Sequence, residues 1–174
     1  MNEGKHVAEY PVGAATGREA FHASSLRRGR VSIANQVYLL TFVTNQRKRL
    51  FLDWPSARVV VNCLRTSSAR GEAETLAYCL MPDHLHWLIA LQADTNLSKL
   101  AGSVKSNSAR KLNQTRSDKG LPRLERVWQA GFHDHALRKE EDLQALARYT
   151  VANPLRAGLV SYLGDYALWD AKWL

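Results

Sequence analysis

The 174-residue sequence predicts an α+β sandwich of ferredoxin-like (RRM-like) form, a mainly antiparallel sheet with helices packed on one face. Three observations predict it. Segments with strand and helix periods follow one another as strand, helix, strand, strand, helix, strand, helix. The second and third strand segments are separated only by Pro82-Asp83, a link that fits an antiparallel hairpin. That hairpin falls in the middle of the order, as a ferredoxin-like sheet requires.

Each element has a local cause. Gln36 to Asn45 is rich in Val, Tyr, Thr and Phe between polar residues, a strand pattern. Gln46-Arg47-Lys48-Arg49 follows as a basic turn. Asp53 or Trp54 then caps a helix with Pro55 in its first turn, and Val59, Val60, Cys63 and Leu64 give its apolar face to about Ser68, before Gly71. Glu74 to Met81 is a second strand, Pro82-Asp83 a turn, and His84 to Leu91 a third strand. Thr95 or Asn96 caps a helix from Leu97 to about Thr115. Its inner side is Leu97, Leu100, Ala101, Val104, Ala109 and Leu112. Arg126 to Leu137 reads as a fourth strand region with a bulge at Gly131. Lys139-Glu140-Glu141-Asp142 begins an acidic helix N-terminus, and the helix continues through Leu143, Leu146, Ala147 and Val151 to Asn153-Pro154. Pro154 to Val160 is a short turn or second helix stopped by Gly158. In the tail, Trp169 and Trp173 are four apart and read as a helical patch on the core.

With 45% hydrophobic and 23% charged residues, the chain has enough apolar surface for one core. Residues 1–30 show no sustained period and end in Arg27, Arg28 and Arg30, so they read as a flexible basic arm before a domain over 31–174. No apolar run reaches the length of a bilayer span, and Met1 to His6 lacks the form of a signal peptide. Cys63 and Cys79 are isolated in apolar surroundings, as reduced core residues are. The expectation is a cytoplasmic protein without a membrane partner.

The net charge is +8. Residues 97–128 alone carry eight Lys and Arg against two Asp and Glu. Lys99, Lys105, Arg110, Lys111 and Arg116 lie mainly on the outer side of the second helix. A basic segment so concentrated points to a polyanion, most often nucleic acid; a solvated helix face is the plain alternative.

His84 and His86 stand at i and i+2 on a strand, so both imidazoles face one side and Leu85 and Trp87 the other. Two such rings can form two arms of a metal site, or be an exposed sheet face that carries two histidines. His133 and His135 have the same spacing around Asp134, and the residues alone do not choose between the pairs. Tyr149 and Asn153 lie four apart on the last main helix and share a face. Laid on the His84 and His86 face, that helix would bring an amide oxygen to the two imidazoles and a phenol one helical turn away. A packing tyrosine and an asparagine cap before proline are the ordinary readings of the same pair.

Tyr149-Thr-Val-Ala-Asn153-Pro-Leu-Arg-Ala-Gly-Leu-Val160, taken with Met81-Pro-Asp-His84-Leu-His86-Trp-Leu-Ile89, resembles the single-tyrosine HUH transposases, and more narrowly the REP-associated tyrosine transposases of bacteria. Tyr38 to Arg47 and Trp128 to His135 fit as well, so the resemblance covers about residues 26–170. Asn153 stands where related transposases often carry Gln. The resemblance implies a single-stranded DNA endonuclease and strand transferase acting on REP-type foldback hairpins with a short flanking tetranucleotide. It implies that His84, His86 and Asn153 hold Mg²⁺ or Mn²⁺, and that Tyr149 attacks the scissile phosphate to form a 5′-phosphotyrosine. DNA would lie on Arg27, Arg28, Arg30, Lys99, Lys105, Arg110, Lys111 and Arg116, and His133, Asp134 and His135 would support the site or touch DNA. A nucleoid-associated bacterial protein, monomer or homodimer, is implied, with the tyrosine acting in its own chain or in a partner's site. Two other readings remain open: a non-enzymatic module that binds single-stranded nucleic acid, which leaves Tyr149 with Asn153 unexplained, and a metal-dependent hydrolase of a small phosphoester, which leaves the basic segment unexplained.

Overall fold

A computed structural model describes residues 32, 33, 35–92 and 94–173. Its sheet has five strands: β1 (Val37–Val43), β2 (Ala73–Met81), β3 (His84–Leu91), β4 (His133–Ala136) and β5 (Trp169–Ala171). Their spatial order is β4-β1-β3-β2-β5. Every pairing is antiparallel. The α+β class and the antiparallel sheet are as the sequence predicts. Pro82-Asp83 joins Met81 to His84, which are directly paired.

The helices are α1 (Trp54–Ala69), α2 (Leu97–Asp118), α3 (Leu143–Val151) and a single turn, α4 (Asn153–Arg156). Side-chain caps fix three starts. Asp53 Oδ1 accepts from Ser56 N at 3.2 Å, and Asn96 Oδ1 from Lys99 N at 3.0 Å. Asp142 Oδ1 accepts from Gln144 N and Ala145 N at 2.8 and 3.2 Å. Each cap satisfies amides that the first helical turn leaves without partners.

The helices divide between the two faces of the sheet, where the sequence predicts them on one. α1 and α2 bring Val60, Leu64, Leu100 and Val104 onto Leu40, Phe42, Leu85 and Trp87. α3 brings Leu146, Ala147 and Val151 onto Leu76, Ala77 and Leu88 on the opposite face. The cause is visible in β3, where Trp87, Leu88 and Ile89 are all fully buried. A strand apolar on both sides must be covered on both. Burying a side chain such as Leu88 or Ile89 contributes roughly 1.5–3 kcal/mol. Trp87 also keeps its indole N–H bonded, to Thr75 Oγ1 at 3.0 Å.

Four local expectations change. The fourth strand is short: His133–Ala136 pairs with β1, an isolated antiparallel bridge joins Trp128 to Thr44, and Val127, Trp128 and Phe132 are buried in the core. Gly131 sits before that strand at φ 71°, in a bend that turns the chain into it and not in a bulge within it. The acidic run Glu140-Glu141 precedes α3, with Asp142 as its cap. Trp169 is not helical. It begins β5, because the outer edge of β2 offers unpaired backbone groups that Trp169–Ala171 satisfies. Among the described residues no helix is long and apolar enough to cross a membrane.

Candidate functional site

His84 and His86 project from β3 to the side that α3 covers, the same side as Leu88 and Ala90. Their ring centroids are 4.8 Å apart and the planes stand at 89°. Each ring is held through one nitrogen. His84 Nδ1 lies 2.5 Å from Asp83 Oδ1. His86 Nδ1 lies 3.1 Å from the hydroxyl of Thr41, its directly paired neighbour on β1. Both rings therefore have Nε2 as the nitrogen left for a ligand.

The electrostatics suit neutral imidazole on His86. Burial pulls its pKa down to about 3, and the nearby His84 and Arg156 push in the same direction. Only the neutral ring ligates metal. Burial works to raise the Asp83 carboxyl, but His84 and Arg47 outweigh it and hold the group below the usual carboxylate range. Arg47 reaches Asp83 Oδ2 at 3.2 Å. A chain Arg47–Asp83–His84 thus runs from the exposed basic turn to the imidazole pair.

α3 and α4 supply the other half. Leu146, Ala147, Thr150 and Val151 face the sheet, and Tyr149 is half-buried beside them. Asn153 Nδ2 donates back to the carbonyls of Tyr149 and Thr150 at 3.3 and 2.8 Å. This ties down the amide nitrogen and leaves Oδ1 as the atom able to ligate. The Arg156 guanidinium lies 4.0 Å from the centre of the Tyr149 ring.

Among the described residues no group of three or more His, Cys, Asp or Glu side chains could hold a metal ion. The donors the sequence points to are instead the two imidazoles and the carboxamide oxygen of Asn153. That set fits a divalent ion that completes its shell with phosphate and water oxygens, as Mg²⁺ and Mn²⁺ do.

The second histidine pair sits at the sheet edge. Thr41 pairs with both His86 and His133, so His133, Thr41, His86, Cys79 and Trp169 form one row across the five strands. His133 is exposed and two strands from His86, about 10 Å at ordinary strand spacing. His135 Nε2 is held by both Glu141 oxygens at 2.9 and 3.0 Å. The two pairs are separate clusters on one side of the sheet.

The basic residues of α2 lie on the other side. Lys99, Arg110 and Lys111 are exposed there. Lys105 Nζ donates to Gln129 O at 2.6 Å and to the Gly131 carbonyl, so it fastens the loop before β4. Arg116 Nε donates to Pro122 O at 2.9 Å. Arg27, Arg28 and Arg30 lie outside the described residues. Cys63 and Cys79 are buried free thiols, and burial pushes Cys79 up to about 12. A cavity of about 520 Å³ opens beside β2 and β5, lined by Leu64, Arg65, Tyr78 and Asp170 among others, but neither histidine pair, Tyr149, Asn153 nor the basic residues of α2 line it.

Sequence reasoning named the two histidines, the tyrosine and the asparagine. It missed Thr41, Asp83 and Arg156 as their partners. Asp83 could have been found as a carboxylate next to His84. Thr41 needs the strand register, and Arg156 needs the break between α3 and α4.

Four similarities bear on what this arrangement is. The fold is similar to that of a REP-associated tyrosine transposase solved bound to a REP hairpin, with TM-score 0.64 and 21% identity over 80% of this chain and 79% of that one. It is also similar to a crystal structure assigned as a transposase from Deinococcus radiodurans, with TM-score 0.52 and 18% identity over 80% of this chain and 96% of that one. A Haemophilus influenzae protein assigned as a REP-associated tyrosine transposase is 31% identical over 98 residues. That match spans 53% of this chain and 56% of the relative, about half of each. The model of the IS200-like transposases matches residues 32–153, which holds both histidines, Tyr149 and Asn153, and the chain belongs to that family.

Proposed function

We propose that the protein is a single-stranded DNA endonuclease and strand transferase that acts on REP-type hairpins through Tyr149. The observation that carries this reading is the arrangement on one sheet face: two imidazoles, each anchored through Nδ1, on the same face against which the helix that carries Tyr149 packs.

Tyr149 Oη attacks the phosphorus of the scissile phosphodiester. The bond to the 3′ oxygen breaks, that oxygen takes a proton and leaves as a 3′-OH, and the 5′ phosphate stays on the tyrosine. The covalent ester conserves the energy of the phosphodiester, so a 3′-OH can attack it in reverse and rejoin a strand. His84 Nε2, His86 Nε2 and Asn153 Oδ1 would hold Mg²⁺ or Mn²⁺, which when bound polarises the phosphate and neutralises its developing charge. Thr41 and Asp83 keep the rings oriented. The exposed cations of α2, on the far side of the sheet, are suited to the duplex stem or to flanking strand, not to the scissile phosphate. A protein with this substrate works in the cytoplasm at the nucleoid.

The test is an incubation of the full chain with a labelled single-stranded REP-type hairpin, with and without Mg²⁺ or Mn²⁺. The expected result is a denaturant-resistant protein–DNA adduct that needs the metal and is lost in Tyr149→Phe. Metal-independent binding without an adduct would instead make the protein a binding module. An adduct that persists in Tyr149→Phe would overturn the nucleophile.

A further inference from the structure

We propose that Arg156 is the anion seat of this site: its guanidinium holds the phosphate at which Tyr149 reacts and keeps the tyrosine ring aimed at it. The proposal rests on the reading of Tyr149 as the nucleophile.

Two observations carry it. The first is the stack itself, 4.0 Å from guanidinium to ring centre. Residues seven apart in an uninterrupted helix are two turns, about 10.5 Å, apart along the axis. Here α3 ends at Val151 with Ala152 as its cap, and α4 restarts at Asn153 with Pro154 in its first turn. That break returns Arg156 to the tyrosine. The second is the set of donors. A guanidinium carries its five N–H groups in one plane and can meet two phosphate oxygens at once. Arg156 is exposed, and among the described residues its guanidinium pairs with no carboxylate. Charge agrees with this: a fixed cation on the sheet face that α3 covers is best accommodated with an anion beside it, and a bound phosphodiester is that anion. Arg156 thus contacts substrate and, through the stack, also positions Tyr149.

The experiment first maps the cleavage position of the hairpin from the wild-type adduct. The phosphate at that position is then replaced by a methylphosphonate, which lacks one charged oxygen. Affinities of the full chain for both oligonucleotides are measured in EDTA, where binding is read without cleavage. Wild type should lose about tenfold in affinity on the replacement, the scale of one charge-assisted contact. Arg156→Ala should bind the two oligonucleotides equally, and Arg156→Lys should fall between. In single-turnover reactions with metal, Arg156→Ala should form adduct about a hundredfold more slowly, as when one preorganised donor is removed. Added guanidinium ion should restore part of that rate. Arg156→Gln, which keeps a planar side chain without the charge, should repeat the result if the alanine variant melts early. Equal losses of affinity in wild type and Arg156→Ala would overturn the proposal. So would adduct formation by Arg156→Ala at the wild-type rate, and both results would leave Tyr149 as nucleophile intact. A wild-type protein that forms no adduct overturns the nucleophile reading and this one with it.

Discussion

Asp83 Oδ1 lies 2.5 Å from Nδ1 of His84, the next residue in the chain. This bond decides which nitrogen of the ring faces the site and keeps the ring from rotating. Asp83→Asn keeps a hydrogen-bond acceptor but removes the charge, and Asp83→Ala removes both. Loss of an outer partner of a ligating histidine typically costs 10–100-fold in metal affinity. The expected order of Mn²⁺ affinity by calorimetric titration is therefore wild type, Asp83→Asn, Asp83→Ala. Unchanged affinity in Asp83→Ala would remove His84 from the ligand set or Asp83 from its support.

Thr41 gives the matching prediction for His86. Thr41→Val keeps the volume and the strand propensity but removes the hydroxyl that meets Nδ1 at 3.1 Å. Mn²⁺ affinity should fall, by less than in Asp83→Ala because a neutral hydroxyl is a weaker partner than a carboxylate. The thermal midpoint should stay within a few degrees of wild type.

The cations of α2 separate into two kinds. Arg110→Ala and Lys111→Ala should weaken hairpin binding and lower its salt slope by about 0.7–0.9 for each phosphate contact removed. Lys105→Ala should act mainly on stability, because its ammonium fastens the carbonyls of Gln129 and Gly131. A loss on the order of 1–3 kcal/mol is expected, read from denaturant unfolding. A salt slope that fell in Lys105→Ala without loss of stability would return this lysine to the DNA surface.

Glu141 gives a pH signature. Its carboxyl is held below its ordinary value, first by the Arg138 amide and then by His135, against a smaller opposing effect of burial. A depressed carboxyl stabilises the fold at pH above its unfolded value, and that stability is lost as pH falls through the folded value. Below about pH 4.5 the thermal midpoint of wild type should therefore approach that of Glu141→Gln, while at neutral pH wild type should be the more stable. Parallel curves for the two proteins from pH 7 to 3 would show that Glu141 is not coupled to the fold.

The parts of this protein that were legible in its sequence are those set by local chemistry. β1 announces itself by β-branched and aromatic residues, the β2–β3 hairpin by Pro82-Asp83, and α1 by Asp53 and Pro55. What was not legible depends on partners distant in the chain. Trp169 joins a strand because β2 has an open edge. The side of the sheet that α3 covers follows from the path of the chain after β4, which no window of residues contains. The site divides in the same way. His84, His86, Tyr149 and Asn153 could be named from spacing and resemblance. The bond from Thr41 to His86 required a register, the guanidinium on Tyr149 required the break at Ala152, and the tie from Lys105 to Gly131 required a folded loop.

His133, Thr41, His86, Cys79 and Trp169 are held abreast by strand pairing alone. A slip of one residue between β1 and β3 would point Thr41 toward α1 and α2 and put Phe42 or Leu40 in its place on the α3 side. The proposed chemistry is therefore a readout of correct strand alignment: a misregistered molecule would lose the row on which that chemistry depends. The same constraint sorts tolerable sequence change. Residues can be gained or lost in the connections without moving the histidines, whereas one residue inserted within β1 would disarm the protein while leaving every named side chain present.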